Sequence, residues 1–179
     1  MYDTFTDFLS GKSRLCIIQA ENPDGDSLGS ALALDYLIKD IDVSLYCPVE
    51  IPKYLRYFKD WSRITSDFDY EADGYIIVDT AAAVLLSKLL EVPAIAERLN
   101  NTPVFVLDHH ETEDDLPFSH QGLIQTLPAC CELIYKIAKE QKLLSEDYEK
   151  LDEIEKTREK TACEYLYYGI LSDTLGLSR

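Results

Sequence analysis

Four short stretches of this chain, residues 15–18, 43–46, 75–78 and 104–107, are apolar almost without a break. A strand with one wet face alternates polar and apolar residues, whereas a strand covered on both faces does not. The pattern therefore restricts the chain to sheets with a layer of helices on each side, and sheets of that kind are parallel. Residues 123–127 read as a fifth strand.

Helical spacing fills the intervals. Ala31, Leu34, Ile38 and Ile41 follow the first run, 84–90 follows the third, and 131–139 carries Leu133, Ile134 and Ile137. Cys163, Leu166, Tyr167 and Ile170 recur at i, i+3, i+4 and i+7, which marks them as one helix face. Residues 145–160 read as a mostly exposed helix and the acidic run 111–115 as a solvated loop. The expected fold is α/β: a doubly wound, mostly parallel sheet of about five strands with helices on both faces. At 179 residues the chain suits one domain with a sizeable core.

Composition narrows the function. With 33 acidic and 17 basic side chains the net charge is -16, so the surface repels a long polyanion. Binding of long duplex nucleic acid is not expected. No apolar run approaches the ~20 residues of a membrane span, and the N-terminus lacks a signal-peptide pattern, so no membrane association is expected. The five cysteines, Cys16, Cys47, Cys130, Cys131 and Cys163, contain no C-x-x-C pair. They read as reduced, buried thiols of a cytoplasmic protein. Trp61, His120 and the 12 tyrosines read as packing or surface residues, with Tyr165, Tyr167 and Tyr168 set apart by their nearness to Asp173.

The chemistry lies where the apolar runs stop. The first gives way to Asn22-Pro23-Asp24-Gly25-Asp26-Ser27-Leu28-Gly29-Ser30, the third to Asp79-Thr80, and the fourth to Asp108-His109-His110. The late helix runs into Ser172-Asp173-Thr174. In a parallel sheet, ligands bind beyond the carboxyl ends of the strands. Acids and imidazoles gathered at one edge suit Mn²⁺ or a similar ion, and all-oxygen sites suit Mg²⁺. An acid after a strand is also a common helix N-cap, and Asp26 and Asp79 are open to that reading.

Taken together, Asn-Pro-Asp-Gly-Asp-Ser-Leu-Gly-Ser, Val-Asp-Thr, Asp-His-His and Gly-Ile-Leu-Ser-Asp-Thr resemble the four ordered motifs of DHH phosphoesterases, RecJ-like exonucleases and oligoribonucleases among them. The resemblance spans 22–174 and makes 1–179 a DHH catalytic domain. It implies that Asp79 bridges two metal ions, with Asp24 completing one site and Asp26, His109 and Asp173 the other. Asp79, His109 and His110 are then the catalytic residues. His110 faces the substrate phosphate, the start of the helix near Ser27 to Ser30 is expected to add backbone N–H donors for it, and Asp108 orients its neighbours. The implied reaction is hydrolysis of phosphate esters in small nucleotides or very short oligonucleotides by a water that the metal activates.

Two positions depart from that pattern. Ala20 stands where the family carries a histidine ligand, so the first metal site is expected to be weak. Alternation along the strand turns Glu21 away from replacing it. The family's smaller C-terminal substrate-binding domain is expected to be absent from this chain. Both departures keep an alternative open, a non-catalytic nucleotide-binding or protein-interaction module with a degenerate metal site. An inorganic pyrophosphatase ranks lower, because nothing in the sequence supplies its basic pocket. A homodimer remains compatible with the sequence.

Overall fold

The computed structural model describes residues 2–176. Six strands form one sheet: β1 (Arg14–Ile18), β2 (Asp42–Tyr46), β3 (Ile64–Thr65), β4 (Gly74–Val78), β5 (Val104–Asp108) and β6 (Gln121–Ile124). Their order is β3-β2-β1-β4-β5-β6, and every ladder is parallel. The helices are α1 (Asp3–Leu9), α2 (Gly25–Leu37), α3 (Ser87–Leu90), α4 (Pro93–Asn101), α5 (Cys130–Glu140) and α6 (Glu153–Asp173).

Alternate residues of the central strands enter two separate cores. Leu15, Ile17, Ile76, Val78, Phe105 and Leu107 join α1, α2, α5 and α6 on one face. Cys16, Ile18, Tyr75, Ile77, Val104 and Val106 join residues flanking or within α3 and α4 on the other. Double coverage is why these strands are apolar at successive positions. Strand order reverses between β1 and β4, and in open α/β sheets ligands bind beyond the carboxyl ends of the strands at such a point.

Several local expectations are corrected. The sheet has six strands: β3 is two residues long, too short to leave a pattern, and β6 lies at Gln121–Ile124 rather than 123–127. As an edge strand β6 is mostly exposed, so burial does not select its residues. Helices α1 and α4 were not anticipated, and 84–90 divides into a 3-10 turn (Ala83–Leu86) and the short α3. After a 3-10 turn at Tyr148–Lys150 the charged segment becomes α-helical only at Glu153, where Asp152 caps the first turn by accepting from the N–H groups of Ile154 and Glu155.

The buried side of α6 consists of Glu159, Ala162, Tyr165, Leu166 and Gly169, whereas Cys163 and Tyr167 are exposed. Large apolar residues mislocate this face because α6 meets α2 through small ones. A Cβ on Gly29 would stand 2.7 Å from the Tyr165 carbonyl oxygen, and one on Gly25 would stand 2.3 Å from Ser172 Oγ. Both helices can touch only because these side chains are missing. Cys163 is accordingly an exposed thiol, unlike the other four cysteines.

Candidate metal centre

The site forms at the carboxyl edge of β4 and β5, beneath the N-terminus of α2 and the last turn of α6. Asp79 is the first residue past β4. Its N–H donates to the Leu107 carbonyl at 2.8 Å, and its φ of 65° lies in the left-handed region that Asp and Asn tolerate better than most residues. That backbone places Oδ1 in the interior, where it has no hydrogen-bond partner.

His109 is the first residue past β5. Its Nδ1 lies 2.8 Å from the Leu127 carbonyl, which fixes a proton there and directs Nε2 inward. Nε2 is also buried without a hydrogen bond. Around it stand carboxylate oxygens of Asp79 at 3.3 Å, Asp26 at 3.6 Å and Asp173 at 3.8 Å. Donors about 2.1 Å from a common ion stand roughly 3.0–3.5 Å apart, so this spacing suits a shared divalent cation.

Asp26 is fully buried in the first turn of α2. Its Oδ2 accepts from the Cys130 N–H at 2.6 Å and its Oδ1 from the Cys131 N–H at 2.9 Å. These are the first two amides of α5, whose N-cap Ala129 has no side chain to satisfy them. A carboxylate on α2 therefore caps α5. Gly169 lets α6 join this contact, since a Cβ there would lie 3.0 Å from Asp26 Oδ1 and 2.2 Å from Cys131 Sγ.

The electrostatics follow from crowding. Burial, which the α5 amides and His109 offset only in part, raises the Asp26 pKa. Burial and the charges of Asp26 and Asp24 hold Asp79 well above the usual carboxylate range, against the pull of His109. Burial lowers the His109 pKa, but Asp79, the Leu127 carbonyl and Asp26 outweigh it and push it up to about 9. Carboxylates that resist ionisation together are what a cation relieves.

Asp108 is fully buried and accepts from the N–H groups of His109 at 2.8 Å and His110 at 3.3 Å. Its Oδ1 also lies 2.7 Å from His110 Nδ1. Burial raises its pKa, yet the His110 contacts prevail and hold it below the ordinary value. Asp108 thus fixes the ring of the half-exposed His110, whose tilted plane lies 4.1 Å from that of His109.

Among the described residues, two donor triplets form: Asp26, His109 and Asp173, and Asp79, His109 and His110. Asp24 belongs to neither. It is the N-cap of α2, and its Oδ1 accepts from the N–H groups of Asp26 and Ser27. The N-cap reading held open for Asp26 and Asp79 thus falls on Asp24 instead.

The hydroxyls of Ser27 and Ser30 are engaged within the protein. The Ser27 hydroxyl completes the capping box by accepting from the Asp24 N–H, and Ser30 is fully buried with its hydroxyl 3.3 Å from Cys131 Sγ. Neither hydroxyl faces solvent. Ala20 is buried, and the Glu21 carboxylate accepts from the Ser87 hydroxyl and the Lys88 N–H, so Glu21 is held at α3. His120 pairs with Asp114 at 2.8 Å, apart from the cluster. The sequence does not show that the amides of Cys130 and Cys131 meet Asp26, that the Leu127 carbonyl holds His109, or that Gly169, the first residue of the last motif, makes room for that contact. The Gly25–Gly29 spacing was the one available sign of a close helix contact.

A parallel α/β sheet with carboxylates and imidazoles around one buried point at its carboxyl edge defines a protein able to hold a divalent metal. The chain belongs to the DHH family: the model of the DHH family N-terminal domain matches residues 14–170. A curated relative, the bifunctional oligoribonuclease and PAP phosphatase NrnA of Mycoplasma genitalium, is 27% identical over 128 residues, covering 70% of this chain and 39% of its own length.

Two solved structures share the fold. An exopolyphosphatase-related protein from Bacteroides fragilis has a TM-score of 0.80 at 21% identity, over 99% of this chain and 51% of its own. A Methanococcus jannaschii candidate for a family II inorganic pyrophosphatase has a TM-score of 0.58 at 14% identity, over 91% and 49%. The chain thus spans about half the length of these structures or less than half that of the curated relative. No helix among the described residues is long and apolar enough to cross a membrane.

Proposed function

We propose that this domain hydrolyses phosphate esters of small nucleotides or very short oligonucleotides with a divalent cation, Mn²⁺ before Mg²⁺, held by Asp26, Asp79, His109 and Asp173. The observation that carries the reading is the pair of buried, unpartnered donors, Asp79 Oδ1 and His109 Nε2, enclosed by two further carboxylates. Buried polar atoms without partners are costly, and a shared cation satisfies both at once. When bound, the metal supplies Lewis acidity and lowers the pKa of water at neutral pH.

The chain's own groups do the rest. His110, half-exposed and oriented by Asp108, offers Nε2 to a phosphoryl oxygen or to the leaving oxygen, and contact with Asp108 raises its pKa so that it can donate a proton. The activity on oligoribonucleotides and PAP that the name of the Mycoplasma relative states agrees with a small anionic substrate. A chain of net charge -16 favours such substrates over long duplexes. Four buried thiols accord with a cytoplasmic setting.

The test is turnover of adenosine 3',5'-bisphosphate or a dinucleotide with Mn²⁺. Activity that Asp79→Asn and His109→Ala abolish supports the proposal. Binding without turnover across several metals favours a second reading, the non-catalytic module. One observation speaks for it: alanine occupies position 20 and no donor triplet among the described residues includes Asp24, so a second metal has a poor set of ligands.

A further inference from the structure

The segment between β2 and β3 has a composition unlike the rest of this acidic chain. Residues 53–63, Lys-Tyr-Leu-Arg-Tyr-Phe-Lys-Asp-Trp-Ser-Arg, interleave aromatic and basic side chains. Arg56 pairs with Glu50 and Arg63 with Asp35, while Lys53 and Lys59 lie exposed. Basic groups alternating with rings form the pattern that serves single nucleotides and single strands, where bases stack and phosphates need counter-charge.

The structure brings one of these rings to Gly25, the neighbour in sequence of Asp26. The Tyr57 hydroxyl lies 3.6 Å from the point where a Cβ on Gly25 would stand, and Gly25 separates Asp24 from Asp26. From the other side comes Tyr168, one turn of α6 before Ser172, whose side chain meets the same point. The two rings are 6.2 Å apart at 81°, and both rest on the buried Phe58, at 4.7 Å and 5.9 Å. They nevertheless stay 58% and 40% exposed.

We infer that Tyr57 and Tyr168 form a platform that receives a nucleobase of the substrate while its phosphate lies at the Asp26–Asp79–His109–Asp173 cluster. The inference rests on the phosphoesterase proposal and narrows its substrates to those bearing a base, which excludes pyrophosphate and polyphosphate. Two rings supported from below by a third are rigid, so a base meets a surface that is already ordered. Stacking tolerates any base, since every base has a π-face, so the platform selects for the presence of a base rather than its identity.

The experiment compares adenosine 3',5'-bisphosphate with the corresponding abasic ribose bisphosphate, in Mn²⁺, for the wild type, Tyr57→Ala, Tyr168→Ala, the double variant and the two Phe variants. The reading is the ratio of kcat/KM for the base-bearing substrate to that for the abasic one, which partial misfolding lowers equally in both terms. Loss of stacking should reduce that ratio about ten- to a hundredfold in the double Ala variant. The Phe variants should retain it. An unchanged ratio overturns the inference, as does a ratio near one in the wild type. If the wild type turns over neither substrate, the phosphoesterase proposal fails and equilibrium binding of the same two compounds decides the platform separately. A preference for the base that the Ala variants lose upholds it, and equal binding refutes it.

Discussion

Asp79→Asn separates the electrostatic role of the cluster from its packing. Asparagine matches aspartate in shape and shares its tolerance of a φ of 65°, so the backbone is undisturbed. Asp79 is 8% exposed, and burial and its acidic neighbours raise its pKa even with His109 pulling the other way. Removing its charge therefore relieves the metal-free protein. Above about pH 9, where His109 no longer carries a compensating proton, taking this charge out of the buried cluster should gain about 1–3 kcal/mol. For a chain of this size that raises Tm by roughly 2–10 °C. With metal the order reverses. Ligand at a hundred times its Kd stabilises the wild type by about 2.7 kcal/mol, a shift of roughly 5–10 °C. The variant should show almost none of it. Thermal melts in chelator and in Mn²⁺ give both quantities. A variant that melts below the wild type in chelator at that pH, or that keeps the full Mn²⁺ shift, refutes the reasoning.

Three further outcomes follow from the same contacts. Asp26→Asn should act in the opposite sense in chelator, since an amide turns one of two acceptors into a donor facing an α5 N–H; a loss of about 1–3 kcal/mol is expected by thermal melt. Gly169→Ala drives a methyl into Cys131 Sγ and against Asp26, and should lower stability by about 1–3 kcal/mol. Its Mn²⁺ affinity, measured by calorimetric titration, should fall roughly tenfold or more. Last, the His109 pKa is raised to about 9, so the stability it contributes is fully present below about 6.5 and lost as pH rises through 9. The raised pKa values of Asp26 and Asp79 have the same sign. Melts in chelator should fall across that window, while Mn²⁺ affinity rises as the competing proton leaves His109. A flat profile in both would contradict it.

What the sequence displays is what double burial and strand ends impose. Residues 75–78 and 104–107 had to be apolar throughout because both faces are covered, and they matched β4 and β5 within a residue. The acids past those strands were legible for a geometrical reason, since parallel strands deliver their ends to one edge. Roles that depend on which helix docks where were not. Asp24 and Asp26 are two residues apart with equal claims as N-cap, and the assignment depends on α5 bringing bare amides to Asp26 and not to Asp24. Nor does the sequence show that the Ser30 hydroxyl is enclosed by Cys131, 101 residues away. The face of α6 was misread for a related reason. Hydrophobic spacing weights bulky residues, whereas the α2–α6 contact is made where side chains are missing.

The four proposed ligands are not held equally firmly, and that difference has a consequence. Asp26 is fastened by two α5 amides, Asp79 by its backbone bond to Leu107, and His109 by the Leu127 carbonyl. Asp173 is the last residue of α6 and its side chain is 31% exposed. Without a cation, repulsion among the carboxylates is relieved most cheaply at the least anchored member. The final turn of α6 should therefore open first, while the segment from Ala162 to Gly169, packed on α2, stays closed. Hydrogen exchange should show amides of residues 170–174 protected at least tenfold more with Mn²⁺ than with chelator, and those of 162–166 changed far less. Equal changes along the whole helix would mean that α6 responds as one body, and that its grip on α2 through Gly25 and Gly29 is weaker than the close contacts imply.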